Sequence, residues 1–285
     1  MAWLTQDGCP LQEGSWLFIY ASTIVKFVSS PNHSPDERLA LIISLPQDTF
    51  CEGKSGIDLL YTQVLEQAFH DVDPHDHEYY SHLKSVVGAV VLTFNPLSIN
   101  TLSGLLRHCG SPSKISTSLR TLHSVLLVPA STEDPVKIFH KSFPDFLTDP
   151  GRCTNSQLLV DPSAHHRQIL LSCLDAMKEG LRKNICRLDD NTVLSNIQDL
   201  PTLRTTHIDN SLEYACHFWT KHLAKVSDIS DGVEEVHQAI DSFFTTGFLW
   251  WIEVLALTGS LDIGVYGLND IEQWYMLVSY AQSLH

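Results

Sequence analysis

The sequence predicts a mainly α-helical protein in which helical bundle domains flank a winged-helix domain with a small β-hairpin wing. Apolar residues recur at helical spacing along most of the 285-residue chain. Near the middle, three predicted helices are followed by two short β-rich segments, which is the element order of a winged helix. These observations divide the chain into a helical domain at 1–75, a winged-helix domain at 76–150 and a C-terminal helical domain at 151–285.

The first domain is predicted to contain three helices, over Trp16–Ser29, Asp36–Leu45 and Gly56–His70. The first of them is apolar on nearly all sides and has Lys26 as its only charge, so we expect it to be buried. Ser55 begins a capping-box pattern and is expected to start the third helix.

The middle domain is predicted to contain helices over Glu78–Phe94, Ile99–Cys109 and Ser113–Leu122, followed by a hairpin that pairs Ser124–Pro129 with Val136–His140. Ser98 is placed to cap the second of these helices. In the third helix Ile115, Leu119 and Leu122 share one face and are expected to point inward. A polar turn joins the two strand segments, as a hairpin requires.

The last domain is predicted to be helical near Ser163–Arg182, Asp189–Leu194, Ile208–Val226, Gly232–Thr245, Gly247–Leu257 and Asn269–Ser283. We expect Trp250, Trp251 and Trp274 to be packing residues. No repeat of fixed period is present in the sequence, which argues against a solenoid.

Composition excludes several classes of protein. A net charge of −15 argues against a general nucleic-acid or anionic-membrane binder. No apolar run reaches the roughly 18–20 residues of a membrane span, and no cation precedes the first apolar run as in a signal peptide. The seven cysteines are scattered and never form a Cys-x-x-Cys pair, which predicts a reduced, cytoplasmic chain.

The charge is unevenly distributed, because no acidic residue lies between Glu78 and Glu133. The same window contains four cations, Lys84, Arg107, Lys114 and Arg120. Either burial and chance explain this bias, or the window faces phosphate or an acidic partner. The sequence leaves both interpretations open.

No catalytic centre is expected in this chain. Glu52–Ser55 ends like a P-loop, but that motif needs a glycine where Asp48 stands. The polar connector His70–Glu78, with His82 nearby, has metal-ligand residue types but contains a proline, so we do not expect a metal site there. No Gly-x-Ser-x-Gly nucleophile elbow is present. We expect the histidine pairs 165/166 and 217/222 to be exposed or half-buried rather than ligands.

DNA binding, the usual function of a winged helix, is not expected. The third helix of the domain would contact the bases. It contains Lys114 and Arg120 but no Asn, Gln or Arg cluster for base edges. A specific DNA-binding protein makes about six or more phosphate contacts, which these residues do not supply.

His140 lies between two aromatic residues, Phe139 and Phe143, at the end of the predicted wing. It has two interpretations. It is either a half-covered wing histidine bonded to a backbone carbonyl, or a donor directed at phosphate. A charge-assisted bond of the second kind is worth about 1.5–3 kcal/mol, which is enough to bias a two-state protein.

The segment Phe139–Leu147 resembles a motif of the winged-helix domain in NACHT-type STAND nucleotide switches, which include NOD-like receptors and fungal relatives. His, Ser, Phe, an acidic residue and Phe-Leu stand in register with Phe-x-His-x-Ser-Phe-x-Glu-Phe-Leu, and Pro144 replaces the usual glutamine. Gly14–Ala21 resembles the start of the helical domain that follows the NACHT core. Leu212–Leu223 resembles a helix found after the winged helix in fungal members.

The resemblance implies that His140 contacts the β-phosphate of ADP held between an upstream NACHT core and the winged helix. Exchange for ATP then releases the winged helix and permits oligomerisation and signalling in innate immunity. The P-loop and sensor elements would precede this chain. We therefore expect a regulatory fragment that binds no cofactor and hydrolyses no ATP by itself, with the core, other proteins or further copies as partners. The alternative is a stand-alone helical interaction scaffold.

Overall fold

The computed structural model describes residues 13–29, 34–44, 54–70, 73, 75–189, 193, 197, 199–227 and 232–282. These residues are mainly helical, as predicted, with one small two-stranded sheet. The chain divides into two compact units. Unit 1 comprises residues 1–84, 116–129 and 136–159, and unit 2 comprises 85–115, 130–135 and 160–285. The three-domain division at 75 and 150 stays a prediction.

The helices of the first part of the chain are α1 Glu13–Val28, α2 Pro35–Ile43, α3 Lys54–Ala68, α4 His77–Leu92, α5 Ile99–Leu105, α6 Pro112–Arg120 and α7 Ser142–Leu147. The remaining helices are α8 Pro162–Gly180, α9 Leu200–His207, α10 Asn210–Leu223, α11 Val233–Thr246, α12 Phe248–Thr258 and α13 Leu261–Gln282. A 3₁₀ turn, Arg107–Cys109, follows α5. The strands are β1 Leu126–Leu127 and β2 Lys137–Ile138.

In unit 1, α1, α2 and α3 pack against one another and α3 also contacts α7. The prediction that α1 is buried was wrong for much of its surface, because Leu17, Phe18 and Val25 are exposed while Phe27 is buried. The capping prediction for α3 was also wrong. That helix begins at Lys54, so Ser55 lies inside its first turn.

The predicted hairpin is present but short. β1 and β2 are antiparallel, with Leu126 opposite Ile138 and Leu127 opposite Lys137. His140 follows the second strand and leads directly into α7, a helix that the sequence did not predict. The winged-helix interpretation of this region stays a prediction.

The predicted helices around the hairpin are present. The Ser98 hydroxyl caps α5 by accepting the Thr101 N–H at 3.1 Å. Ile115, Leu119 and Leu122 are fully buried, as their spacing predicted.

In unit 2, α8 and α10 form the most extensive helix–helix contact, and α10 also packs on α12 and α13. Trp251 and Trp274 are buried packing residues, as predicted, whereas Trp250 is only half-buried. The sequence missed α9, and α13 begins eight residues before its predicted start at Asn269. Residues 189 and 193 are not helical, and most of the predicted helix Asp189–Leu194 lies outside the described residues.

Within the described part of the chain, no single helix is long and apolar enough to cross a membrane. The pair α11 and α12 meets the criteria of length and composition only when both are counted together, and they are bent by 75° at their junction.

Candidate functional site: the wing cavity

A cavity of about 420 Å³ lies in unit 1 beside the hairpin. We call it the wing cavity. Helix α1 lines one side with apolar and polar residues, and the segment after β2 lines another. The lining residues are Phe18, Ile19, Ser22, Thr23, Lys26, Tyr61, Val125, Phe139, His140 and Phe143. This volume lies within the range of roughly 300–1,000 Å³ typical of small-ligand sites.

His140 is half-buried at this cavity, and its tautomer follows from its neighbours. The backbone N–H of Ser142 lies 3.1 Å from Nδ1 of His140. Because a backbone N–H can only donate, Nδ1 accepts this bond, and in the neutral ring the proton is on Nε2. The Ser142 hydroxyl lies 2.8 Å from the same Nδ1. Nε2 is therefore the ring's donor, and none of the described residues forms a hydrogen bond with it.

Ser142 connects His140 to the core of unit 1 through Tyr61. The Tyr61 hydroxyl lies 2.7 Å from the Ser142 hydroxyl. Burial raises the pKa of Tyr61, so the phenol keeps its proton and can donate it to Ser142. Ser142 is then free to donate to Nδ1 of His140. The chain Tyr61–Ser142–His140 orients the imidazole before any ligand arrives.

Two aromatic residues of α7 anchor the segment that follows His140. Phe143 and Phe146 are each 1% exposed, and both rings contact Tyr61 of α3 at centroid distances of 5.3 and 5.5 Å. Arg152, which follows α7, also binds α3. Its guanidinium donates to both carboxylate oxygens of Asp58, and the shortest N···O distance is 2.6 Å. His140 is thus fixed from its C-terminal side by packed aromatic residues and a charge-assisted pair.

Lys26 is the residue of this site that sequence reasoning missed. In the sequence it is only the single charge of a predicted apolar helix. Its ammonium lies 3.7 Å from the centroid of the Phe139 ring, which is a cation–π contact. No carboxylate of the described residues pairs with Lys26, and none of the described lining residues is acidic. A lone cation in an otherwise apolar helix is the signal that could have identified it.

The acid-free window does not provide this cavity's cation. Lys84 donates to the Ser156 carbonyl at 3.2 Å, and Arg107 pairs with Glu179. Two of the four cations in this window are therefore bound to partners outside the cavity.

The other candidates of the sequence do not form a site in the described residues. No group of three His, Cys, Asp or Glu side chains there is arranged to hold a metal. The P-loop-like segment is only partly described, since residues 52 and 53 fall outside the described part.

Two histidines expected at or near the surface form a buried pair in unit 2. The Nδ1 atoms of His166 and His222 lie 2.8 Å apart, and His222 Nε2 lies 2.9 Å from the Tyr214 hydroxyl. That hydroxyl accepts the Phe94 N–H at 3.2 Å and keeps its own proton, since burial raises the pKa of Tyr214. Tyr214 therefore donates to His222, and His222 Nδ1–H donates to His166. The prediction of exposed or half-buried side chains was wrong for His165, His166 and His222, which are all buried.

Fold and site together define a mainly α-helical protein with a wing cavity that presents a ring N–H and an ammonium. The chain is similar to vegetative incompatibility protein HET-E-1 of Podospora anserina, with 25% identity over an aligned length of 280; the match covers 90% of this chain and 19% of the relative. It thus spans about a fifth of the length of the curated relative it matches. No family model matches the chain, and no solved structure matches it. The match supports the expected relationship to fungal relatives of the NACHT-type family.

Proposed function

We propose that this chain is a regulatory part of a NACHT-type nucleotide-switch protein, in which His140 contacts the phosphate of ADP held by a nucleotide-binding core. The observation that carries the proposal is the orientation of His140. Its Nδ1 is occupied by Ser142, and its Nε2–H is left as a donor at a ligand-sized cavity. The similarity to a fungal incompatibility protein supports the same family context.

In this proposal the chain contributes a sensor and no hydrolytic chemistry. The Nε2–H of His140 donates to a phosphate oxygen, which stabilises the nucleotide-bound arrangement by about 1.5–3 kcal/mol. Loss of that bond on nucleotide exchange biases the protein toward its open, oligomerising state. We further propose that the chain acts in the cytoplasm, hydrolyses no ATP by itself, and has the core, other proteins and further copies of itself as partners.

The test is ADP retention by a fusion of this chain to a NACHT-type nucleotide-binding core. His140→Ala is expected to shorten retention about tenfold or more, since about 1.4 kcal/mol is a factor of ten. His237→Ala, at a half-buried histidine of α11 that does not line the cavity, is the matched control and is expected to retain ADP like the unmodified fusion. Equal retention by all three proteins refutes the sensor role.

A second candidate function, a helical interaction scaffold, is favoured by the surface of α13. Val265, Tyr266 and Tyr280 are 69%, 70% and 67% exposed, and Met276 and Leu277 are exposed with them. Apolar surface of this extent on one helix is typical of a docking face. Trp251 of the neighbouring helix α12 is fully buried and takes no part in this face.

If the chain is a scaffold, partner binding should depend on α13 and should be independent of nucleotide. Cross-linked partners of the full chain should be lost in a Val265→Glu, Tyr266→Glu variant and should be unaffected by ADP. Partner binding that requires ADP, or that persists in the Val265→Glu, Tyr266→Glu variant, contradicts the scaffold function.

A further inference from the structure

We propose that Lys26 of α1 is a second ligand-binding residue of the wing cavity, so that Lys26 and His140 together form a two-point anion site for the nucleoside diphosphate of the proposed function. The inference rests on the proposed function for the role of His140 and adds Lys26 of α1 as a second ligand-binding residue. Both residues line the same cavity, and both belong to unit 1.

The charge of the cavity favours an anion. The whole chain contains 33 acidic residues against 18 Lys and Arg, yet no described residue that lines this cavity is acidic. A negative ligand therefore meets an ammonium and a ring N–H there without a facing carboxylate. In a protein of net charge −15, such a cavity is the exception, and its polarity selects against cationic ligands.

Lys26 is held in a contact that an anion can replace. Lys26 is half-buried, its ammonium lies over the Phe139 ring, and no carboxylate of the described residues competes for it. A charge-assisted bond to phosphate is stronger than a cation–π contact at a partly exposed ring. Phosphate is therefore expected to draw Lys26 away from Phe139, so that ligand binding weakens the contact between α1 and the wing.

The walls of the cavity favour a ligand with an aromatic part beside its phosphates. Phe18, Ile19 and Phe139 supply apolar and aromatic surface, against which a base can pack. Inorganic pyrophosphate satisfies Lys26 and His140 but leaves this surface unused. A nucleoside diphosphate uses both, and we therefore expect it to bind more tightly than pyrophosphate.

The experiment is a calorimetric titration of the full 285-residue chain with pyrophosphate and with ADP. The variants are Lys26→Gln and His140→Gln, and the matched control is Lys221→Gln, a lysine that also lies over a phenylalanine ring, at 5.1 Å, but in unit 2. Thermal unfolding of each variant confirms that it is folded. Loss of one charge-assisted bond is expected to weaken binding about tenfold for Lys26→Gln and for His140→Gln, with no change for the control.

The outcomes separate this inference from the proposed function. If Lys26→Gln binds both ligands like the unmodified chain while His140→Gln does not, Lys26 is no ligand-binding residue and the sensor role of His140 stands. If the unmodified chain binds neither ligand at concentrations of about 1 mM, the two-point site is refuted. The sensor role is then decided separately by ADP retention in the fusion. Equal affinity for pyrophosphate and ADP refutes the assignment to nucleoside diphosphates.

Discussion

The Nδ1 atoms of His166 and His222 lie 2.8 Å apart in the buried contact between α8 and α10, so one ring must carry a proton there and the other must not. Burial lowers the pKa of His166 to about 4 and that of His222 to about 3. Both rings are therefore neutral in the folded protein at neutral pH, whereas an unfolded histidine titrates near pH 6.5.

We predict that stability falls as the pH is lowered from about 6.5 toward 4. In that window the unfolded chain takes up protons that the folded chain excludes, so the free energy of unfolding decreases with decreasing pH. At pH 5 the loss is about 2 kcal/mol for each ring. Urea unfolding between pH 7.5 and 4.5 measures it. His222→Phe is expected to reduce the slope, and Val265→Ala, which removes no titratable group at an exposed site, to leave it unchanged. An unchanged slope in His222→Phe contradicts the assignment of this pH dependence to the His166–His222 pair.

Tyr214→Phe tests the hydrogen-bond chain that begins at Phe94. The variant removes the hydroxyl that accepts the Phe94 N–H and donates to His222 Nε2. A buried acceptor without its donor costs about 1–3 kcal/mol, and we expect a loss of that size in the free energy of unfolding. Tyr266→Phe is the control, since Tyr266 is 70% exposed, and should change stability by less than about 0.5 kcal/mol. Equal losses in the free energy of unfolding for Tyr214→Phe and Tyr266→Phe would refute the hydrogen-bond chain from Phe94 to His222.

Adjacent tryptophans of α12 are predicted to differ in their contribution to stability. Trp251 is fully buried, donates its Nε1–H to the Cys216 carbonyl at 2.8 Å, and packs edge-on against Trp219. Trp251→Ala is expected to cost about 3–5 kcal/mol in chemical unfolding. Trp250→Ala, at the half-buried neighbour, should cost clearly less. A larger loss in Trp250→Ala would show that the register of α12 is wrong.

Ser142→Ala is predicted to loosen the orientation of His140. The hydroxyl of Ser142 links Nδ1 of His140 to Tyr61, and the variant keeps the backbone N–H but removes this link. Nitrogen NMR of the imidazole should show the Nε2–H form in the unmodified protein at pH 8 and a mixture of both tautomers in the variant. A ring that already exchanges freely between tautomers in the unmodified protein contradicts the assignment.

Helical periodicity predicted most of the described helices but missed α7 and α9, which have six and eight residues. Helix α7 spans only Ser142–Leu147 and contains Pro144, so it is too short for a periodic pattern to stand out. The hairpin was predicted too long, since β-branched composition indicates a strand but does not define how many residues pair. The capping residue of α3 was misplaced because boundary residues are the least certain part of a helix.

The candidate site could be predicted in part. The motif around His140 indicated the histidine, but its free nitrogen depends on Ser142 and Tyr61, and Tyr61 lies 81 residues from Ser142 in sequence. Lys26 meets the wing through a contact between α1 and Phe139, which no spacing along the chain encodes. The His166–His222 pair spans 56 residues and was missed for the same reason.

The short hairpin and the firmly packed α7 lie on opposite sides of His140, and this asymmetry has a consequence for evolution. Strands β1 and β2 pair only two residues each, whereas the ring of buried Phe143 packs against the Tyr61 ring at a centroid distance of 5.3 Å. Insertions before the second strand can therefore be accommodated in sequence variants without displacing the imidazole. An insertion between His140 and Phe143 would separate the ring from its orienting hydroxyl. Length variation among homologues should therefore accumulate before β2 and be absent between His140 and Phe143.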